Sequence, residues 1–260
     1  MLRLIAFVSL SPILMAQAVE FHFAPPDGTT FTETVTSHRT MDNGPMKMDD
    51  EISVSANTTI HKTPNGYAIT RIATTKNGNQ FETAMNGLPV TWTVDGGGHF
   101  QGASGYDKPL ADFKAKLPEK SQEQVSDALT PDTLSARDRQ EWDSRIGRLA
   151  GKKFNLYQSW VEDTQVPGPN GDPIPMKTTC TVTAMADCAA GKCARVKVTS
   201  KSADGAPVEM QTETEMLIDP NTGLIYSETL TRNAKIKQQD HAVSIAEKKE
   251  TSYKYAAAQR

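Results

Sequence analysis

Hydrophobic and polar residues alternate with a period of two along most of this chain. In VEMQTETEMLI, residues 208–218, valine, methionine, threonine and isoleucine hold one parity, while glutamate and glutamine hold most of the other. Residues 52–60 and 90–94 alternate in the same way. A strand with this pattern buries one face and exposes the other, which is typical of antiparallel sheets. Asn-Gly and Asp-Gly pairs separate the runs and predict turns. The pattern therefore predicts a mainly β protein.

The alternation stops between residues 109 and 151, where a helical pattern replaces it. Two prolines, Pro118 and Pro131, stand where each could occupy the first turn of a helix. We therefore predict two short helices in tandem, over residues 119–129 and 132–149.

The second predicted helix carries both a start signal and an apolar stripe. Thr130 precedes Pro131 and predicts the N-cap. Trp142, Ile146 and Leu149 fall at i, i+4 and i+7, on one side of a helix. The stripe is narrow, so this helix is expected to lie on a sheet rather than in a bundle.

The first eighteen residues have the form of a secretory signal peptide. Arg3 is their only charged residue, the apolar run LIAFVSL follows it, and Ala16-Gln17-Ala18 has small residues at both ends. The run is shorter than the roughly 20 apolar residues that a membrane-spanning helix needs, and no later segment is long and apolar enough either. These features predict a periplasmic or secreted protein, cleaved near Ala18, without a transmembrane segment.

The runs on either side of the helical segment follow one order of strands and turns. NGPMKMDDEISVSA begins the first series, and GDPIPMKTTCTVTA begins the second. We predict a signal peptide over 1–18, a first antiparallel meander over 19–108, a helical segment over 109–151 and a second meander over 152–260. The predicted fold class is mainly β with a helical insert (α+β). It is a curved antiparallel sheet or half-barrel, built as one compact domain from two similar meanders with two short helices between them.

Two of the three cysteines, Cys188 and Cys193, stand five positions apart between two predicted strands. Exported proteins meet oxidising conditions, so a disulfide across a hairpin with the loop Ala189–Lys192 is the favoured interpretation. A metal site is the alternative, but zinc needs about four ligands and the nearest histidine in sequence is His241. The third cysteine, Cys180, is predicted to be a buried free thiol.

Pairing Cys188 directly with Cys193 has one flaw. It would place Val182 opposite Thr199, although the apolar residues of the second strand are Val196 and Val198. A β-bulge beside the loop would restore the match between apolar positions. A bulge is therefore part of the prediction.

Composition and motifs exclude several classes of protein. The formal net charge of −3 argues against a nucleic-acid partner, which favours a basic surface. The glycine-rich stretch DGGGHFQGASGYD, residues 95–107, lacks the lysine and following helix of a phosphate loop, so it is interpreted as a hairpin turn. The chain contains no GxSxG or SxxK motif, and its histidines lack the HExxH spacing. No catalytic residue, cofactor or metal ligand is therefore predicted, although a site assembled from distant residues stays open.

Two stretches, GKKFNLYQSW and IDPNTGLIYSE, carry a resemblance to a known group of proteins. With the signal peptide and two meanders, they resemble uncharacterised exported bacterial β-sheet proteins whose architecture is similar to that of periplasmic lipoprotein carriers. The resemblance implies a concave apolar face that could hold acyl chains, gated by the helices. It is one of architecture, so it assigns no functional residue.

The sequence thus favours an exported, non-enzymatic envelope protein that binds a lipid or another apolar ligand between sheet and helices. The expected ligand face comprises Val90, Trp92, Val94, Met210 and Met216. The same residues could instead form a filled core. Two other functions stay open, a structural or adhesive module that acts through its surface and a hydrolase with a non-local active site. The oligomeric state is not indicated.

Overall fold

A computed structural model describes residues 18–44, 46–118, 122, 129–167, 173–206, 208–237 and 242–256. The predicted signal peptide up to residue 17 and most of the predicted helix over 119–129 lie outside the described residues, as does His241.

Thirteen strands account for most of the described chain. They are β1 (Ala18–Glu20), β2 (Thr29–Asp42), β3 (Lys47–Thr63), β4 (Gly66–Lys76), β5 (Pro89–Asp95), β6 (Phe100–Ser104), β7 (Lys153–Asn155), β8 (Ser159–Pro167), β9 (Pro173–Cys188), β10 (Gly191–Ser202), β11 (Val208–Ile218), β12 (Ile225–Lys237) and β13 (Ala242–Tyr255). The prediction of a mainly β protein is confirmed.

Eleven of these strands form one antiparallel sheet in the order β6-β5-β4-β3-β2-β13-β12-β11-β10-β9-β8. Strands β2–β6 form one meander and β8–β13 form another. The two meanders meet where β2 pairs with β13, from Phe31 opposite Tyr255 to Asp42 opposite Ser244. The sheet does not close, because β6 and β8 remain its edges. The short strands β1 and β7 pair separately.

The helices lie between and within the meanders. They are α1 (Gln80–Ala84), α2 (Asp107–Lys114) and α3 (Pro131–Trp142), and a π-helical turn over Asp143–Gly147 continues α3. The start and the N-cap of the second predicted helix are confirmed, since Thr130 caps α3 by accepting the N–H of Thr133 at 3.1 Å, but the α-helix ends at Trp142 and the π-helical turn at Gly147, short of residue 149. Trp142 and Leu149 of the predicted stripe are buried. Helices α1 and α2 were not predicted, since α2 ends at Lys114, before the first predicted helix over 119–129 begins. None of the described helices is long and apolar enough to span a membrane.

The hairpin of β9 and β10 contains the predicted disulfide. Cys188 and Cys193 are bonded, with their Cα atoms 5.8 Å apart, and Cys180 is a buried free thiol. The loop is shorter than predicted, because Gly191 already pairs with Cys188. The register shifts between Arg195 and Val196 and so places Val182 opposite Val196. The bulge that the apolar pattern required is therefore present.

The core consists of two clusters on one face of the sheet. One lies on the second meander and includes Phe154, Val182, Val196 and Met216. The other lies on the first meander and includes Ile60, Ile69, Trp92 and Trp142.

The segment after β1 connects the two clusters, because Phe21 belongs to the first and Phe23 to the second. Backbone hydrogen bonds hold this segment. The N–H of Phe21 donates to the carbonyl of Lys152 at 2.9 Å, and the N–H of Gly151 donates to the carbonyl of Phe21 at 2.8 Å.

The glycine-rich stretch forms a tight hairpin turn, as predicted. The side chain of Asp95 accepts the N–H groups of Gly97 and His99, each at 2.9 Å. Gly98 has φ of +86°, and a Cβ there would lie 2.8 Å from the Cβ of Phe23. Its carbonyl accepts the indole N–H of Trp142 at 2.9 Å. The turn therefore anchors the end of α3 to the sheet.

Candidate ligand site

Three charged residues occupy positions of the sheet where the alternation would place apolar side chains. Glu33 lies on the same face of β2 as the buried Val35, and Arg71 lies on the same face of β4 as the buried Ile69. Glu228 on β12 reaches the same face through the register, because it pairs with Thr251 and Thr251 pairs with Val35. All three side chains therefore point to the face that carries the core.

The end of α3 supplies the opposite side of this ionic cluster. The Nη2 atom of Arg145 lies 2.5 Å from the Oε2 atom of Glu228 and 3.9 Å from the Oε1 atom of Glu33. Its Nη1 atom donates to Glu141 at 3.1 Å. Arg145 also donates to the hydroxyl of Tyr253. We call Glu33, Arg71, Glu141, Arg145 and Glu228 the ionic cluster.

The second arginine of the ionic cluster comes from the sheet. Arg71 donates from Nε and Nη2 to one oxygen of Glu33, at 3.2 and 3.0 Å. The side chains of Glu33 and Glu228 are only 7% and 4% exposed. Such buried carboxylates are stable as charges only when they are paired. The buried carboxylates of the sheet therefore need the cation of Arg145, and Arg145, at the end of α3, needs those carboxylates.

Burial alone would lower the pKa of Arg145, but the carboxylates of Glu228, Glu33 and Glu141 together raise it above its ordinary value. For Glu141, burial acts to raise the pKa, and the nearby cations Lys249, Arg145 and Arg71 lower it overall. Arg145 and Glu141 are thus each held in their charged form.

A small cavity of about 70 Å³ lies between α3 and the sheet beside the ionic cluster. Strands β2, β3, β4, β5, β12 and β13 all contribute to its wall. Six neighbouring strands would span about 24 Å if the sheet were flat. Because all six strands line one small cavity, the sheet must curve around α3. We call the face of the sheet that α3 covers the concave face.

A second cavity of about 200 Å³ lies against β4 and β5, next to the first. Arg71 and Trp92 line both cavities, so they stand where the two meet. The apolar part of the second cavity is formed by Phe81 and Met85, from α1 and its end, and by Ala73, Leu88, Val90 and Leu134. We call this second cavity the candidate site.

The polar part of the candidate site contains Trp92, Tyr106 and Asp138. The hydroxyl of Tyr106 donates to the Oδ2 atom of Asp138 at 2.5 Å. Burial raises the pKa of Asp138 to about 6. The indole N–H of Trp92 lies near enough to this carboxylate to lower its pKa. Its distance and angle to Asp138 nevertheless fall short of a hydrogen bond, and no other described residue accepts one, although the Trp92 side chain is buried.

The residues of the predicted ligand face all lie on the concave face, but the structure divides them. Val90 and Trp92 line the candidate site, and Val94 is buried beside them on β5. Met216 belongs to the core cluster of the other meander, and Met210 is half-buried farther along β11. The structure does not bring the two methionines into the candidate site.

The ionic cluster and the polar residues of the candidate site were missed in the sequence. A signal for the sheet residues was present. Glu33 and Arg71 each interrupt a run of apolar residues of the same parity, which is unusual unless the charge is paired. For Tyr106 and Asp138 no local signal exists, since 32 residues separate them.

Among the residues that the structure describes, no three histidine, cysteine or acidic side chains are grouped so that they could hold a metal ion. The described chain defines an open, curved antiparallel sheet with a helix on its concave face, an ionic cluster of three glutamates and two arginines beneath the helix, and an adjoining cavity.

No family model matches the chain, and no curated protein matches it. A putative exported protein with a YmcC-like fold from Bacteroides fragilis is similar in structure. Its identity is 10%, the match covers 92% of this chain and 100% of that one, and the TM-score is 0.31. A protein of unknown function from the DUF3598 family of Nostoc punctiforme has 9% identity, coverage of 84% and 94%, and a TM-score of 0.15. Both scores are too low to inform the function of this chain.

Proposed function

We propose that this protein is an exported binding protein that holds a small, neutral, single-chain amphiphile in the candidate site. The observation that carries the proposal is the indole N–H of Trp92. It is a buried donor that makes no hydrogen bond within the described chain, and the Trp92 side chain lines the cavity. A buried donor left unpaired costs about 1–3 kcal/mol, which a ligand oxygen would recover.

The position of Trp92 indicates how the ligand would lie. Trp92 and Arg71 stand at the inner end of the site, where the two cavities meet, whereas Phe81 and Met85 line only the larger one. A carbonyl or hydroxyl oxygen of the ligand would accept the indole N–H, and its chain would extend toward α1. The charged side chains of the lining are Arg71, Arg137, Glu82 and Asp138, which balance each other and favour a neutral head group.

The size of the candidate site limits the ligand. Ligand cavities of drug-sized molecules measure about 300–1,000 Å³, so about 200 Å³ suits a short chain. Helix α1 buries none of its residues fully. It is therefore the part of the wall that can move at the lowest cost if the chain is longer.

Export is supported by the form of residues 1–18 and by the disulfide of Cys188 and Cys193, since disulfides persist in oxidising compartments. The predicted resemblance to lipoprotein carriers, which no comparison tests, would be in keeping with an apolar ligand but does not identify one.

Isothermal titration calorimetry with short monoacylglycerols tests the proposal. The variant Trp92→Phe keeps an aromatic ring and removes the N–H, and it should bind about fivefold more weakly, because one net hydrogen bond is worth about 1 kcal/mol. Trp160→Phe is the matched control, since Trp160 packs against the other core cluster. Within the length of the cavity, each added methylene should strengthen binding by roughly 0.8 kcal/mol. Equal affinities of the two variants, or no saturable binding by the wild type, would refute the proposal.

A further inference from the structure

The hairpin of β2 and β3 exposes methionines at the end that lies far from α3. Met46 is 53% exposed and Met48 is 39% exposed. In the part of the chain that the structure describes, five large hydrophobic side chains are exposed, and the other three, Ile72, Tyr157 and Val161, lie on other parts of the chain. Two exposed methionines at one hairpin end therefore call for an explanation.

The register brings a third methionine to the same place. Met41 pairs directly with Met48 across the two strands, and Met46 lies two residues before Met48. Met41 and Met48 lie on one face because they are directly opposed, and Met46 stands just before β3, where the hydrogen bond from the N–H of Asn43 to its carbonyl continues the ladder and favours the same face for its side chain. Paired residues have Cβ atoms about 4.5–5.5 Å apart, and diagonal neighbours are about 7–8 Å apart. Three flexible thioether side chains can converge over such distances.

The end of this hairpin is fixed by its own hydrogen bonds. The N–H of Asn43 donates to the carbonyl of Met46 at 3.1 Å, and the N–H of Met46 donates to the side chain of Asn43 at 3.3 Å. The side chain of Asp42 accepts the N–H of Gly44 at 2.9 Å. The backbone positions of Met41 and Met46 are therefore set before any ligand arrives.

The charged groups near the three methionines do not compete for the same space. Asp42 and Lys47 form an ion pair at 3.3 Å and belong to the opposite face. Arg39 and Asp50, the next residues on the methionine face, pair with each other at 3.0 Å. The three methionines thus offer neutral, soft sulfur atoms without a free carboxylate beside them.

We propose that Met41, Met46 and Met48 form a site for Cu(I), bound through three thioether sulfur atoms. Soft thioether ligands select Cu(I), whereas Mg²⁺ and Ca²⁺ require oxygen ligands. Thioethers also stay available as ligands in oxidising compartments, where thiols tend to pair as disulfides. The site is independent of the proposed amphiphile. Glu33 of the ionic cluster lies eight residues from Met41 on β2, or about 26 Å along the strand.

The test is a titration of the purified protein with Cu(I) under ascorbate, in competition with the chromophoric Cu(I) chelator bicinchoninate, followed by native mass spectrometry. The wild type should retain one Cu(I) ion per chain. The triple variant Met41→Leu, Met46→Leu, Met48→Leu should retain none. Leucine is close to methionine in volume and equally apolar, so the fold and any purely apolar role of this surface should survive.

The matched control is Met176→Leu, Met210→Leu, which replaces methionines elsewhere on the concave face and should bind Cu(I) like the wild type. X-ray absorption of the loaded wild type should show a shell of sulfur atoms. Cu(I) binding that persists in the triple variant, or a wild type that retains no Cu(I) against the chelator, would overturn the proposal. Amphiphile binding, measured by calorimetry on the same triple variant, should be unchanged whichever result is obtained.

Discussion

Replacing Arg145 with alanine tests whether the ionic cluster holds α3 on the sheet. The change removes the cation that contacts Glu228 at 2.5 Å and Glu33 at 3.9 Å, and it leaves both carboxylates buried. Alanine is the best helix former, so the helix itself should not suffer. Any loss of stability would therefore come from the unpaired charge of Glu228, from the loss of one of the two cations at Glu33, which keeps Arg71, and from the lost packing of the arginine stem.

The expected size of the loss follows from burial. Two unit charges about 4 Å apart attract each other by roughly 4 kcal/mol at an effective dielectric constant of 20. Removing one partner of a buried pair typically costs about 3–5 kcal/mol, because the other charge stays desolvated. We expect Arg145→Ala to lower the free energy of unfolding by that amount. The control is Arg195→Ala, since Arg195 and its partner Glu215 are 48% and 44% exposed. An exposed pair of this kind contributes about 0–1 kcal/mol.

Urea unfolding at pH 7, followed by tryptophan fluorescence and by circular dichroism, measures the difference. Two further variants separate the causes. Arg145→Met keeps most of the apolar stem and removes the charge. If the charge dominates, this variant should show most of the loss seen with Arg145→Ala. Adding Glu228→Gln to Arg145→Ala removes the unpaired charge of Glu228 and should recover part of the loss. If Arg145→Ala costs no more than Arg195→Ala, the ionic cluster does not hold the helix and the reasoning is wrong.

Four other outcomes can be checked by standard measurements. Replacing both Cys188 and Cys193 with alanine should lower the free energy of unfolding by about 2 kcal/mol, since the closed ring is small, and adding a reductant to the wild type should give the same shift in urea unfolding. A chain that begins at Val19 should unfold cooperatively, whereas one that begins at Pro25 should not, because it lacks the buried side chains of Val19, Phe21 and Phe23; calorimetry distinguishes the two. Burial raises the pKa of Cys180 to about 11, so mass spectrometry after iodoacetamide treatment at pH 8 should find it alkylated only in denaturant. Burial raises the pKa of Asp138 to about 6, above the value of about 3.9 in an unfolded chain, so the folded state binds the extra proton and the contribution of Asp138 to stability should grow as the pH falls from 7 to 4. Urea titrations at both pH values should therefore show the wild type gaining stability relative to Asp138→Asn at the lower pH.

Much of the architecture could be read from local pattern. The alternation identified the long strands, and Thr130 with Pro131 located the start of α3 within one residue. The mismatch of Val182 with Thr199 indicated the bulge next to the disulfide, because an apolar face fixes the register of a strand. Such features depend on neighbours in sequence, and a single sequence contains them.

Other features depend on partners far away in the chain. The pairing of β2 with β13 joins residues more than 200 positions apart, and it brings Glu33 next to Tyr253. Helix α1 escaped prediction for a different reason. Its five residues bury no side chain completely, so only the capping box of Asn79 and Glu82 marks it, and no apolar stripe exists to detect.

The ionic cluster explains why the candidate site has a defined shape. The apolar stripe of α3 alone could pack on a curved apolar surface in several positions, because hydrophobic contacts have no direction. Arg145, by contrast, satisfies Glu33 and Glu228 only when the helix end lies between β2 and β12. Leu134 and Asp138 line the candidate site from the same helix. The charges that fix the end of α3 therefore also fix the wall of the cavity, although Arg145 itself does not line it. This is a hypothesis about specificity rather than stability, since an apolar replacement of the whole cluster could be equally stable and still leave the helix without a unique position.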